Sequence, residues 1–245
     1  MDVLLVDLAL AVIVTGLVSV VRPLRFLRIR SRRAAFLVTV GGAALLLLGL
    51  LLPVSPARLD GPRMALDDAL PDYQFGETHE IRIQAPPERV FAAVKAVTAR
   101  EIRFFRLLTW LRAPHFGEAP QSILNPAADR PILDVALQSG FVLMHEEAGR
   151  EIVVGAVVCC GLRWPVRDAS EFRALRGSLA RAAMNFHVTD EGGGVSRLVT
   201  QTRVAASDAR AERRFAAYWR VIYPGSAWIR RMWLRAIKAR AELTP

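Results

Sequence analysis

Four histidines, two cysteines and one run of three glycines are the residues of this chain that invite metal or catalytic chemistry, and their spacing decides against most of it. His79, His115, His145 and His187 are scattered, with no pair at i and i+4 on a helical segment and no acid pair at the short range a metal site uses. His145-Glu146-Glu147 comes nearest, but neighbours on a strand point to opposite faces, so His145 and Glu146 diverge. Cys159 and Cys160 are adjacent, which builds neither a disulfide framework nor a four-ligand zinc site; they suit small apolar packing at a strand end. No serine sits in Gly-x-Ser-x-Gly. Gly192-Gly193-Gly194 lacks a following Lys and lies between two alternating segments, so it reads as a turn and not as a phosphate loop. We assign no catalytic residue, no metal and no cofactor from the sequence. Arg203 and the pair Tyr218-Trp219 stand out because they bring polar groups into apolar patterns.

The elements that carry these residues belong to two kinds of material. The chain has 245 residues, 53% of them hydrophobic, and a net charge of +10, with a mean hydropathy of +0.27. That hydrophobicity excludes a disordered chain. Residues 3–21 and 34–54 are apolar runs long enough to cross a hydrocarbon core of about 30 Å. A cleaved signal peptide is disfavoured for the first run, because the chain opens Met1-Asp2, with Asp7 following, and lacks a basic leader. Between the runs, residues 22–33 hold six Arg and no acid. Short Arg-rich loops stay in the cytoplasm, which predicts a two-helix membrane hairpin (1–54) with both termini extracytoplasmic. The remaining basic excess is dispersed, and only Lys95 and Lys238 of the 33 basic residues are lysines, so we expect no nucleic-acid partner.

Pro53, Pro56, Pro62 and Pro71 make 55–74 read as an irregular linker. A folded domain is expected over 75–245. Residues 78–84 alternate as a strand, and Pro86-Pro87-Glu88 opens a helix striped by Val90, Phe91, Val94 and Val97. A second helix is expected over 101–112, a loop over 113–130 and a short helical turn from Ile132. A hairpin follows over 141–160, then strands at 162–166, 179–189 and 196–205, with a turn or two of helix at 168–175. A helical C-terminus starts after Ser207, breaks at Pro224-Gly225 and restarts at Ser226.

This order, in an α+β class, resembles the START-like or SRPBCC superfamily of helix-grip domains, which includes polyketide cyclases and birch-pollen-allergen relatives. The resemblance is carried by His79-Glu80-Ile81-Arg82-Ile83-Gln84-Ala85-Pro86-Pro87-Glu88-Arg89-Val90-Phe91, by Leu198-Val199-Thr200-Gln201-Thr202-Arg203-Val204 and by Phe215-Ala216-Ala217-Tyr218-Trp219-Arg220-Val221-Ile222. It implies a curved antiparallel sheet gripping a long C-terminal helix around an apolar cavity. Alternation then turns Met184, Phe186, Thr200 and Thr202 inward, and Phe141, Leu143, Val157, Tyr218 and Ile222 complete a candidate ligand lining, with core packing as the alternative role of each. The expected function is a membrane-anchored protein holding a lipid or other hydrophobic small molecule. The alternatives are a cyclase or aromatase-like enzyme moving protons through His187 or Tyr218, and a module docking anionic membranes or partners through its basic terminal helix.

Overall fold

The computed structural model describes residues 2–22, 29, 31–52, 57, 59, 61–112, 122–123, 125–159, 162–164, 166–175 and 177–243. Most of the Arg-rich loop, Pro53, Pro56, the stretch 113–121 with His115, and Cys160 lie outside the described residues, as does the side chain of Cys159. The chain divides into two units: residues 1–54 with 216–223, and residues 55–215 with 224–245.

The first unit holds two 20-residue helices, α1 (Asp2–Val21) and α2 (Arg32–Leu51). Both are long and apolar enough to cross a membrane, and only 22% and 17% of their apolar stretches are buried, where the core helix of a soluble protein would bury most. Ser31 opens α2 from an extended backbone, its hydroxyl accepting the Ala34 N–H. The helices meet along small residues: Ala35, Gly42 and Gly49 recur every seven positions on the buried side of α2, and Gly16 of α1 lies against Thr39. Small residues let two backbones approach closely without a polar driving force. A Cβ at Gly42 would come within 2.8 Å of Ile13, whereas one at Gly41 would meet nothing within 4 Å. The third piece of this unit is a stretch of α8 (Ala209–Leu243). There the buried Arg220 donates to the Leu50 and Leu52 carbonyls at 3.1 and 2.8 Å, groups that a helix leaves unpaired at its C-terminal end.

The expected break at Pro224 does not occur; α8 runs through it for 35 residues. Proline removes one helix donor, to the Arg220 carbonyl, but apolar stripes on both sides of that gap keep the helix whole.

In the second unit, β1 (Phe75–Ile83), β2 (Phe141–Glu147), β3 (Glu151–Cys159), β5 (Ala180–Gly192) and β6 (Val195–Ala206) form an antiparallel sheet in the order β1-β6-β5-β3-β2, with β4 (Leu162–Trp164) paired to β3. The β5–β6 turn is Gly192-Gly193-Gly194, all with positive φ that glycine adopts without strain. One face of the sheet is covered by α4 (Pro87–Ala96), α6 (Ile132–Gln138) and the end of α8, in a core that includes Val90, Val94, Ile132, Phe186, Leu198, Trp233 and Ile237. The helix α5 (Phe105–Arg112) contributes Phe105 to that core. The last turns of α8 are clipped to the end of β1: Glu242 accepts the Gln84 N–H at 2.8 Å and Lys238 donates to the Arg82 carbonyl at 2.7 Å.

The opposite face is where the sequence reading fails most. The described part of the Pro-rich segment folds as a strap, with α3 (Ala65–Ala69) laid across the sheet. Leu66 and Leu70 of the strap pack against Val153, Ala183 and Ala205, and full burial of one such leucine contributes about 1.5–3 kcal/mol. A buried polar network pins it. Arg203 donates to Asp67 at 2.6 Å, to the Leu70 carbonyl and to Gln201, and stacks 4.6 Å over the Tyr73 ring. Asn185 donates to the buried Glu151 at 2.7 Å, and Glu151 in turn accepts the Ala65 N–H at 2.9 Å. Phe172 of α7 (Ala169–Ala174) covers the rest of this face with Val142, Val157 and Leu179.

Burial raises the Asp67 carboxyl, but the Met64 N–H and the Arg203 guanidinium outweigh it and hold the group below its ordinary range. A carboxylate with a depressed folded-state pKa stabilises the fold fully above about pH 4 and loses that contribution as the pH falls through the depressed value. Asp67→Asn should cost on the order of 2–3 kcal/mol, less than the ~3–5 for a fully enclosed pair because Asp67 is one-third exposed. It should speed hydrogen exchange over 64–70 before the rest of the domain; unchanged exchange there would refute the strap's dependence on this pair. In the hairpin, Gly42→Val should lower the unfolding temperature in detergent by several degrees while Gly41→Val leaves it nearly unchanged, and equal effects would sink the small-residue seam.

Candidate functional site

Register places the candidate residues. Side chains directly opposite in an antiparallel pair share a face, and three neighbouring rows run across the helix-covered side. The first is Phe75-Val204-Ala182-Ala156-Phe141, and the second Glu77-Thr202-Met184-Val154-Leu143. The third starts at His79-Thr200 and continues through Phe186 and Ile152. Six of the nine expected lining residues, Phe141, Leu143, Met184, Phe186, Thr200 and Thr202, therefore lie on one face in adjacent rows. Val157 does not. It packs on the strap side with Val142 and Phe172, because odd-numbered residues of β3 face that way. Tyr218 and Ile222 fall in the 216–223 stretch that belongs to the first unit.

The rows differ in how well they are filled. Phe186 and Met184 are buried core, the Phe186 ring lying 5.1 Å from Trp233. Phe141 and Ala182 stay partly exposed and Leu143 is 42% exposed. Apolar surface is thus left uncovered at the β2 end of the first two rows.

At the β1 end the second row turns polar. Glu77 is nearly completely buried; its carboxylate accepts from the Ser226 hydroxyl at 3.0 Å, lies 3.4 Å from His79 Nε2 and 3.9 Å from Arg230 Nε. Arg230 stacks 5.5 Å over the Trp233 ring. Thr202 Oγ1, directly across from Glu77, and Trp233 Nε1 are buried with no hydrogen-bond partner among the described residues. An unmade bond on a buried polar group costs about 1–3 kcal/mol. Thr200 differs from Thr202: its hydroxyl donates to the Asn185 carbonyl at 2.7 Å, closing a gap in the β5–β6 ladder.

His79, Glu77, Ser226, Arg230 and Trp233 were missed as a group. The signal that could have found part of it is the pair Glu77 and His79, two apart on a strand and so on one face. His187 lies on the strap side opposite Glu151. Burial pushes its imidazole down against the pull of Glu151, and it lines an open groove of about 420 Å³ with Arg63, Pro87 and Arg150. Among the described residues no group of three or more His, Cys, Asp or Glu could hold a metal ion.

An open antiparallel sheet, wrapped on one side by helices and closed by a long C-terminal helix, defines the folded unit. The fold is of the helix-grip kind. No protein-family model matches the chain, and no curated protein matches it. Among solved structures, TTHA0849 from Thermus thermophilus is 14% identical over 68% of this chain and 96% of its own, with a TM-score of 0.28. Ara h 8.0201 is 10% identical over 68% and 97%, with a TM-score of 0.20. Within this helix-grip unit the unpaired Thr202 hydroxyl gives a direct test. In protein stripped of small molecules, Thr202→Val should raise stability by about 1 kcal/mol, because it removes a buried group with an unmade bond. A loss of more than that on denaturant unfolding would show that the hydroxyl is satisfied.

Proposed function

We propose that the chain is a membrane-anchored binding protein of the SRPBCC type, which holds a lipid or other hydrophobic small molecule in its helix-grip domain. The observation that carries this reading is the second sheet row, apolar at Met184 and Val154 and uncovered at Leu143, with Thr202 at its other end and Trp233 of α8 bearing buried polar atoms that have no hydrogen-bond partner among the described residues. A ligand with an apolar body and a hydrogen-bonding end matches that gradient, as small-molecule sites generally pair apolar walls with a few placed polar groups. The mostly exposed apolar helices α1 and α2 support the anchor, and the six-Arg loop supports the orientation with both termini extracytoplasmic.

A second reading is favoured by one observation. Glu77 and His79 are buried side by side, a pairing that can hold and move a proton on a bound molecule. In that reading the domain is cyclase-like, and His79 takes the place expected for His187 or Tyr218.

The full chain, extracted with its lipids in polymer nanodiscs, should release a bound apolar molecule on denaturation in near-equimolar amount. Leu143→Trp, which fills the uncovered end of the row, should reduce that amount at least tenfold with the fold intact by circular dichroism. Retention of the same molecule by the filled variant would overturn the site. In a chain with Cys159 and Cys160 replaced by Ala, Asp68→Cys should react with an impermeant thiol reagent on intact cells; reaction only after lysis would reverse the orientation.

A further inference from the structure

The helix-grip unit exposes a second apolar surface, on its outside. The turn before α5 places Phe104 between two buried residues, Ile102 and Phe105, and sets its backbone at a φ of 61°. A bulky aromatic in the left-handed region is a strained position, and such positions persist where the surroundings impose them. The surroundings here are Glu101, whose carboxylate accepts from the Thr98 N–H and hydroxyl at 2.8 Å each and is paired with Arg240 at 2.8 Å, and the two buried neighbours. The outcome is a phenyl ring turned into solvent at 46% exposure. One turn into α5, Leu107 is 55% exposed and Trp110 37%, and on α8 Trp228, 51% exposed, meets the Phe104 ring edge-on at 6.3 Å. Two helices distant in sequence thus combine three aromatics and a leucine into one outward patch.

Apart from Glu101, which is paired with Arg240, the charges that α5 and α8 place around it are basic. Arg103 stacks 4.8 Å over Phe104, Arg106 is exposed on α5, and Arg231 and Arg235 follow Trp228 on the same side of α8 at i+3 and i+7. No Asp or Glu occurs between Glu101 and Glu118 or between Glu212 and Glu242. Exposed Trp, Phe and Leu ringed by Arg match the boundary between headgroups and acyl chains, where indoles settle and guanidinium groups meet lipid phosphates.

We infer that Phe104, Leu107, Trp110 and Trp228 insert into the interfacial layer of an anionic bilayer. The inference rests on the membrane-anchored reading for its choice of occupant, since the chain's own apolar helices hold the domain within reach of a bilayer. It adds that the domain lies on the membrane and does not hang free of it.

The test uses the full chain, with Cys159 and Cys160 replaced by Ala, reconstituted into vesicles of 3:1 phosphatidylcholine and phosphatidylglycerol. Spin labels are placed at Leu107→Cys, Trp228→Cys and, as a water-exposed reference, Glu147→Cys. Collisional access to oxygen over access to a water-soluble nickel chelate should be several-fold higher at 107 and 228 than at 147. Arg103→Glu with Arg106→Glu should bring that ratio down toward the reference. Ratios at 107 and 228 equal to that at 147 would overturn the inference. Spectral broadening at 107 that grows with the protein-to-lipid ratio would also overturn it, by assigning the patch to a second copy. A carbonate wash after these measurements tests the anchor separately: a chain stripped from the vesicles refutes the spanning helices, whatever depth was recorded for the patch.

Discussion

A guanidinium taken out of water costs several kcal/mol unless its charge and its donors are met, and one side of the sheet is organised around meeting those of Arg203. Its partners come from three places: Asp67 and Leu70 of the strap, Gln201 two residues back on its own strand, and the ring of Tyr73. Of these contacts only that with Gln201 joins near neighbours in sequence. The strap is therefore held by a charge on β6, and β6 is covered on that face only because the strap is there. The same strand sends Leu198, Thr200 and Thr202 to the opposite side, so the register that buries Arg203 also sets the row in which Thr202 faces Glu77. A one-residue slip would exchange the two faces and leave an unpaired cation against the apolar core.

Much of the architecture was legible because it is written in short-range periodicity. The alternation over 78–84 and 196–205, the stripe from Val90 to Val97 and the two long apolar runs each correspond to an observed element with ends shifted by a few residues. What was not legible depends on partners far away. The strap carries Pro62 and Pro71 and no apolar period, so it reads as a linker; its order comes from Arg203 and Glu151, more than eighty residues downstream. Pro224 reads as a break because local rules count the lost donor and not the packing on both sides. Val157 was assigned inward, and the parity of β3 against β5 turns it outward. The polar end of the row has no short-range signature, because Glu77, Thr202, Ser226 and Arg230 converge from β1, β6 and α8.

The helix-covered side divides its labour along the sheet. Toward the His79 row and beyond, large side chains from β5 and α8 interlock and leave little to spare. In the Phe75 and Glu77 rows the middle positions are alanine, valine, threonine and methionine, and the ends of the second row, Glu77 and Leu143, are of opposite character. Close packing is thus concentrated in some rows of one surface and left incomplete in others.

Arg220 gives the chain an unusual timetable. The carbonyls it caps, Leu50 and Leu52, belong to the opening helices, and the cap lies 168 residues later than Leu52. At ribosomal rates of about 5–20 residues per second, those carbonyls exist for roughly 10–30 s before their partner has been made. During that interval the end of α2 is an unfinished acceptor, so the first unit becomes complete only when the last helix arrives. A chain cut short before α8 would leave the Leu50 and Leu52 carbonyls without the Arg220 donors.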